Sequence, residues 1–232
     1  MMWTSCVRPS SDFSKVSMHP DELKVIYADK YLLVLDKPAG LLSVPGRGED
    51  KQDCLSARAQ RLYPDALVVH RLDMATSGLM VMARGAAAQR ALSLAFASRS
   101  VRKRYVAIVD GQLAPSLQDW GVIDLPIIVD WPERPRRIID HQRGKLSVTR
   151  WRVLMHKTSD ETTRVELEPV TGRSHQLRVH LLALGHAIVG DALYGSPRVQ
   201  AMADRLLLHA CLLELCHPVS GRPMRFDSAE DF

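Results

Sequence analysis

One carboxylate, Asp73 in the stretch HRLDMATSGL from His70 to Leu79, has the setting of a reactive group. It follows an apolar run, stands two residues after Arg71 and precedes a Thr-Ser-Gly turn, so it falls at a strand exit, where a rigid sheet presents chemistry. The turn itself needs Ser and Gly but not Arg and Asp, and capping of the turn by its own side chain is the competing duty for Asp73. A carboxylate can attack an electrophilic carbon or remove a proton as general base, and both tasks require it to be ionised and aimed. In a water-poor pocket it also needs a partner, since an isolated buried carboxylate takes up a proton instead. Other familiar chemistries drop out by inspection, because the chain has no G-x-x-x-x-G-K-[ST], no G-x-G-x-x-G and no G-x-S-x-G. Of the nine histidines, His175 and His180 lie closest together on a predicted helix. Five residues rotate them ~140° apart, unlike the i, i+4 pair of a helical zinc site. The four cysteines contain no C-x-x-C pair, and no metal is expected.

The elements that must position Asp73 read as strands joined mostly by short turns. LKVIYADKYLLVLDKPAGLLSVPG predicts two strands turning at Asp29-Lys30, a Pro-Ala-Gly turn and a further strand. CLSARAQRLY predicts a short helix, Leu67 to Leu72 and Leu79 to Ala83 the strands around HRLD, and Ala86 to Ser98 an amphipathic helix with Leu92 and Phe96 on one face. Strands follow in RKRYVAIVDG, SVTRWRVLMH, TRVELEPV and LLLHACLLEL, with the helix SHQLRVHLLALG between the last two. The pattern implies an α+β fold, a mixed, mainly antiparallel sheet with flanking helices and not a doubly wound one. The first twenty residues lack the apolar segment of an export signal and are predicted to be a flexible tail before one domain over 21–232. No apolar run is long enough to span a bilayer. A soluble, cytoplasmic protein with reduced thiols is expected.

The formal charge is only +5, yet six Lys or Arg and no acid fall between Arg84 and Arg104. A second basic run spans Arg134 to Lys145, diluted only by Asp140. Neither continues into an apolar face, so nucleic acid is favoured over membrane as a partner, against the alternative of a solvated surface.

The residues also carry a resemblance. HRLDMATSGL resembles the signature of the RluA-type pseudouridine synthases, and matches continue in order through DKPAGLLSVPG from Asp36, Lys103-Arg104-Tyr105, TGRSHQLRVHLLALGH from Thr171, GDALYG from Gly190 and RLLLHA from Arg205. They cover the chain from about Leu23 onward. Its compact length is most like the dual-specificity A branch, whose members modify a transfer-RNA anticodon stem-loop and a 23S ribosomal RNA hairpin. Trp151 stands where a Tyr is expected, and KLSVT from Lys145 replaces a more usual K-x-A-x-T.

The resemblance implies an isomerase that detaches uracil from C1′, turns it and rejoins it through C5, without cofactor. It makes Asp73 essential, as nucleophile or as base on the sugar. It pairs Asp73 with Arg173, whose guanidinium would hold the carboxylate ionised by a two-pronged contact. Tyr105 would stack on the flipped uracil and shuttle the C5 proton, and Arg71 would fill the gap left by the extruded base. Lys103 and Arg102 would hold phosphates, and Lys37 would contact RNA or bridge within the sheet. Strand alternation puts Lys103 and Tyr105 on one face and Arg104 on the other. His70 is expected to be structural. A monomer suffices for a hairpin substrate. The rival classes are a non-catalytic RNA-binding protein, a glycosylase that would release free uracil, and a family member with a different single RNA target.

Overall fold

The computed structural model describes residues 23–232, so the tail predicted over 1–20 lies outside the described residues. The first half holds β1 (Lys24–Ala28), β2 (Leu32–Lys37), α1 (Leu55–Leu62), β3 (Ala66–Val68), β4 (Ser77–Arg84), α2 (Ala86–Ala97) and β5 (Arg102–Asp110). After these come β6 (Gly121–Asp124), β7 (Ile127–Val129), β8 (Arg137–Ile139), β9 (Val148–Lys157) and β10 (Thr162–Pro169). The chain closes with α3 (Gln176–Ala183), α4 (Pro197–Ala201), β11 (Leu208–Cys216) and β12 (Pro223–Asp227). Among the described residues ten strands form one sheet in the order β1-β2-β4-β11-β5-β10-β9-β6, with β12 beside β11 and β3 beside β4, while β7 and β8 make a separate hairpin. The β4–β11 pairing is parallel and its neighbours are antiparallel, the mixed sheet that the spacing of turns predicts.

Burial follows strand position. Every residue of β2, LLVLDK, is buried, as a central strand with both faces covered requires. In β10, also largely buried, residue type alternates, with Val165 and Leu167 in the core and Glu166 and Glu168 on the opposite face. Beneath β5, β9 and β10 lies a core shared with α3, in which Leu167 and Leu181 are wholly buried. Trimming either to Ala would cost ~2–5 kcal/mol. The β2–β4 half packs on α2 from one side and α1 from the other. Tyr105 packs against the cores of both halves, at their junction.

The junction between halves is narrow. β4 and β11 pair only at His209–Ser77 and Ala210–Gly78. Gly78 has φ +107, and a Cβ there would stand 2.4 Å from the Ala210 carbonyl oxygen. Only glycine permits so close an approach. No helix among the described residues is long and apolar enough to cross a membrane.

Candidate active site

The loop between β3 and β4 carries Asp73 and is fixed along its length. His70 stacks on Phe96 at 4.4 Å and its Nε2 accepts the Val81 N–H at 3.0 Å, so the ring is a wedge under the loop. Burial drives its pKa down to about 3, and the neutral ring holds the accepting role at any ordinary pH. Ser43 Oγ accepts from the Leu72 N–H at 3.0 Å and donates to the Leu72 carbonyl at 2.7 Å. The Met74 carbonyl accepts from the Gly40 N–H at 2.9 Å and from Lys37 Nζ at 3.0 Å. The Asp73 carbonyl accepts the Thr76 N–H at 3.1 Å, while its side chain stands at the wall of a cleft of about 800 Å³, 25% exposed.

Arg178, in the first turn of α3, faces Asp73 with Nη1 3.8 Å from Oδ2. Its Nε and Nη2 donate to the two oxygens of Asp191 at 2.8 and 2.6 Å, and Asp191 Oδ1 also accepts the N–H groups of Leu193 and Tyr194. The fork is thus held from behind and one nitrogen is left for Asp73, a bidentate anchor that a Lys could not reproduce. Burial opposes the Arg178 charge, but the hydrogen-bonded Asp191 and the nearby Asp73 raise its pKa above the ordinary value. His175 faces the same oxygen, Nε2 to Oδ2 3.9 Å.

Tyr105 lines the same cleft from β5. Burial first, then the negative charge of Asp73, push its phenol pKa up, so the hydroxyl keeps its proton. Lys103 lines the cleft two residues earlier, while Arg102 and Arg104 turn to carboxylates on the other face, the alternation expected of the strand. Arg71, Arg99 and Arg173 are exposed on the rim.

The comparisons with known proteins decide what this cleft belongs to. The family described as RNA pseudouridylate synthase matches residues 31–183. This chain belongs to that family. The synthase is 50% identical over 90% of its length to the dual-specificity RNA pseudouridine synthase RluA of Escherichia coli K12, covering 94% of that protein, and 50% identical to RluA of Yersinia pestis, covering 99%. Among solved structures, the human RNA pseudouridylate synthase domain containing 1 superposes with a TM-score of 0.76 at 29% identity, covering 93% of this chain and 87% of that one. The chain is therefore an RluA-type isomerase that converts uridine to pseudouridine in RNA.

Three sequence expectations for the synthase change. Arg173 does not pair with Asp73; it is exposed, its Nε donates to the Leu146 carbonyl at 3.4 Å, and Arg178 stands in the place expected of it. The reason is a reversal of the chain at His175, φ +57, after which α3 starts at Gln176 and turns Arg178, not Arg173, to the carboxylate. An Arg inside the apolar run LRVHLL, with an Asp in the following GDALYG, was the signal for it, since a buried guanidinium requires a buried acid. Lys37 cannot touch RNA. It is fully buried, and its ammonium donates to the carbonyls of Pro38, Leu41 and Met74 at 2.8, 2.8 and 3.0 Å. Burial lowers its pKa to about 7 while Asp73 pulls upward. Arg102 lies at the rim with its charge already engaged by Glu168 at 3.0 Å and Glu214 at 3.5 Å.

Proposed function

We propose that Asp73 is the reacting carboxylate and that the RNA isomerised here is, as for the dual-specificity relatives, both a transfer-RNA anticodon stem-loop and a 23S ribosomal RNA hairpin loop. The observation that carries the reading is the convergence of Asp73, Tyr105 and Arg178 in one cleft, the first two facing each other closely enough for the carboxylate to raise the phenol pKa. Arg178 holds the carboxylate ionised and aimed, whether it attacks the nucleotide or takes a sugar proton. Tyr105 offers a ring on which the flipped uracil stacks, and its hydroxyl can relay the proton that leaves C5 by handing its own on to water as it accepts that one. Arg71, free of ion pairs among the described residues, would fill the stack the base vacates. Lys103 takes a phosphate, with Arg99 and Arg173 near it on the rim. Identity of 50% across the chain supports the shared targets.

The reading has the protein act as a monomer through a single catalytic domain over 21–232, in the cytoplasm where its RNAs are made. The test is to map pseudouridine in transfer and ribosomal RNA from cells with and without the gene, and to follow tritium release from C5-labelled stem-loops with pure protein. Loss of modification in both RNAs is expected. Loss in one alone would assign a single target, and free uracil in place of retained base would overturn the isomerase reading of the site.

A further inference from the structure

His175 immediately precedes α3 in a left-handed conformation, φ +57, and its side chain makes no capping bond to that helix. A residue that strains its backbone and leaves its helix uncapped is held there for another purpose. The ring points instead between two groups. Nδ1 lies 2.7 Å from the Tyr194 hydroxyl, and Nε2 faces Asp73 Oδ2 across 3.9 Å.

Tyr194 is positioned to set the tautomer. The backbone N–H of Arg137, at the start of β8, donates to Tyr194 Oη at 2.8 Å. The phenol has one proton to give, and the histidine nitrogen is the acceptor in reach. With the phenol donating, Nδ1 accepts and the neutral ring carries its own proton on Nε2, the atom turned to Asp73. Tyr194 is in turn immovable, its N–H bound to Asp191 and its ring against the Arg178 guanidinium at 4.9 Å. Burial keeps the imidazole neutral, lowering its pKa against the pull of Asp73, while Arg178 and Arg137 act in the same direction as burial.

We propose that His175, locked by Tyr194 as the Nε2–H tautomer, is a positioning residue that donates to Asp73 and, with Arg178, sets the carboxylate's direction when RNA is bound. The present gap exceeds a hydrogen bond by about 1 Å, and such contacts tighten in the substrate complex. Two fixed donors on one side of Asp73 leave its remaining lone pairs for the nucleotide. The inference rests on Asp73 being the reacting group.

The test uses the full chain and a C5-tritiated stem-loop, with ring-nitrogen NMR of the histidines beside it. Tyr194→Phe should lower turnover about tenfold, the worth of one buried hydrogen bond, with RNA affinity unchanged. His175→Ala should lose more. His175→Gln, whose amide N–H can reach Asp73 without a tautomer to fix, should recover most of what Ala loses. Adding Tyr194→Phe to His175→Gln should cost nothing further, a non-additivity that packing alone does not produce. The wild-type spectrum should show His175 protonated on Nε2, which needs no variant to fold. A His175 protonated on Nδ1, equal losses from Tyr194→Phe in both backgrounds, or a Gln no better than Ala would each overturn the inference. Turnover retained by Asp73→Asn is a separate result that removes the reading beneath it.

Discussion

The two faces of β5 draw on the same short run of cations and use them in opposite ways. On the outer face Arg102, Arg104, Arg150 and Arg152 meet Glu166, Glu168 and Glu214, with Glu166 directly opposite Arg152, Glu168 opposite Arg150 and Glu214 opposite Arg102 in the register. Three of the guanidiniums also lie over Trp120, at 5.4, 5.0 and 4.8 Å. Against the cost of burial, Arg102 above all, helped by Arg150 and Arg104, holds the Glu168 pKa down. On the cleft face Lys103 and Tyr105 have no acid bonded to them among the described residues, and burial lowers the Lys103 pKa. One face is electrically closed and the other is open to an anion. A cluster of basic residues in a sequence therefore states how much charge there is, and the partners on adjacent strands state how much remains for RNA.

The largest effect expected from either face is that of Asp73→Asn, which keeps the shape of the side chain and removes its charge. Tritium release should fall below detection while folding and RNA affinity persist, because an amide can serve neither as nucleophile nor as base. Normal release from the folded variant would return Asp73 to a turn residue and leave the cleft face without chemistry.

Next in size is Arg178→Lys, set against Arg173→Lys. The first strands the buried Asp191 and leaves Asp73 unaimed, so turnover should fall about a hundredfold or more and stability by ~3–5 kcal/mol. The second should change turnover by less than about threefold, as expected of an exposed side chain with one weak contact. Similar losses from both would mean that Arg173 swings to Asp73 in the RNA complex.

Glu168→Gln probes the closed face. Removing one acid that serves three arginines should cost roughly 1–2 kcal/mol in urea unfolding, as for a partly exposed network, with turnover unchanged. A fall in turnover at unchanged stability would show that the two faces are not separate.

The smallest effect distinguishes neighbours. Lys103→Ala should reduce the slope of log affinity against log salt by about one, and Arg102→Ala should leave it alone. The reverse result would place RNA on the outer face.

Strand periodicity made much of this legible before any coordinates. Lys103 and Tyr105 two residues apart had to share a face, and the turn spacing implied a mostly antiparallel sheet. Motif order brought Asp73, Tyr105 and the α3 segment to one place. Helical phase was not legible, because it depends on the left-handed step at His175, a conformation that no residue type there announces. The fate of Lys37 was hidden for a related reason. Its three acceptors are backbone carbonyls, two in the turn that follows it and one at Met74, and a carbonyl leaves no mark in a sequence.

The narrow joint between β4 and β11 also sets an order of events in synthesis. Ser77 and His209 are 132 positions apart, yet the strand that leads out of the Asp73 loop finds its inner neighbour only there. Domains assemble as the chain emerges, and a pairing cannot precede its later member. In the sheet β5 lies between β11 and β10, so a growing chain has neither its cationic rim nor the aspartate's setting in place until both of those strands are out. The rim that would bind RNA and the aspartate that would react thus come into register together, and a nascent chain stalled before β11 would have neither in place.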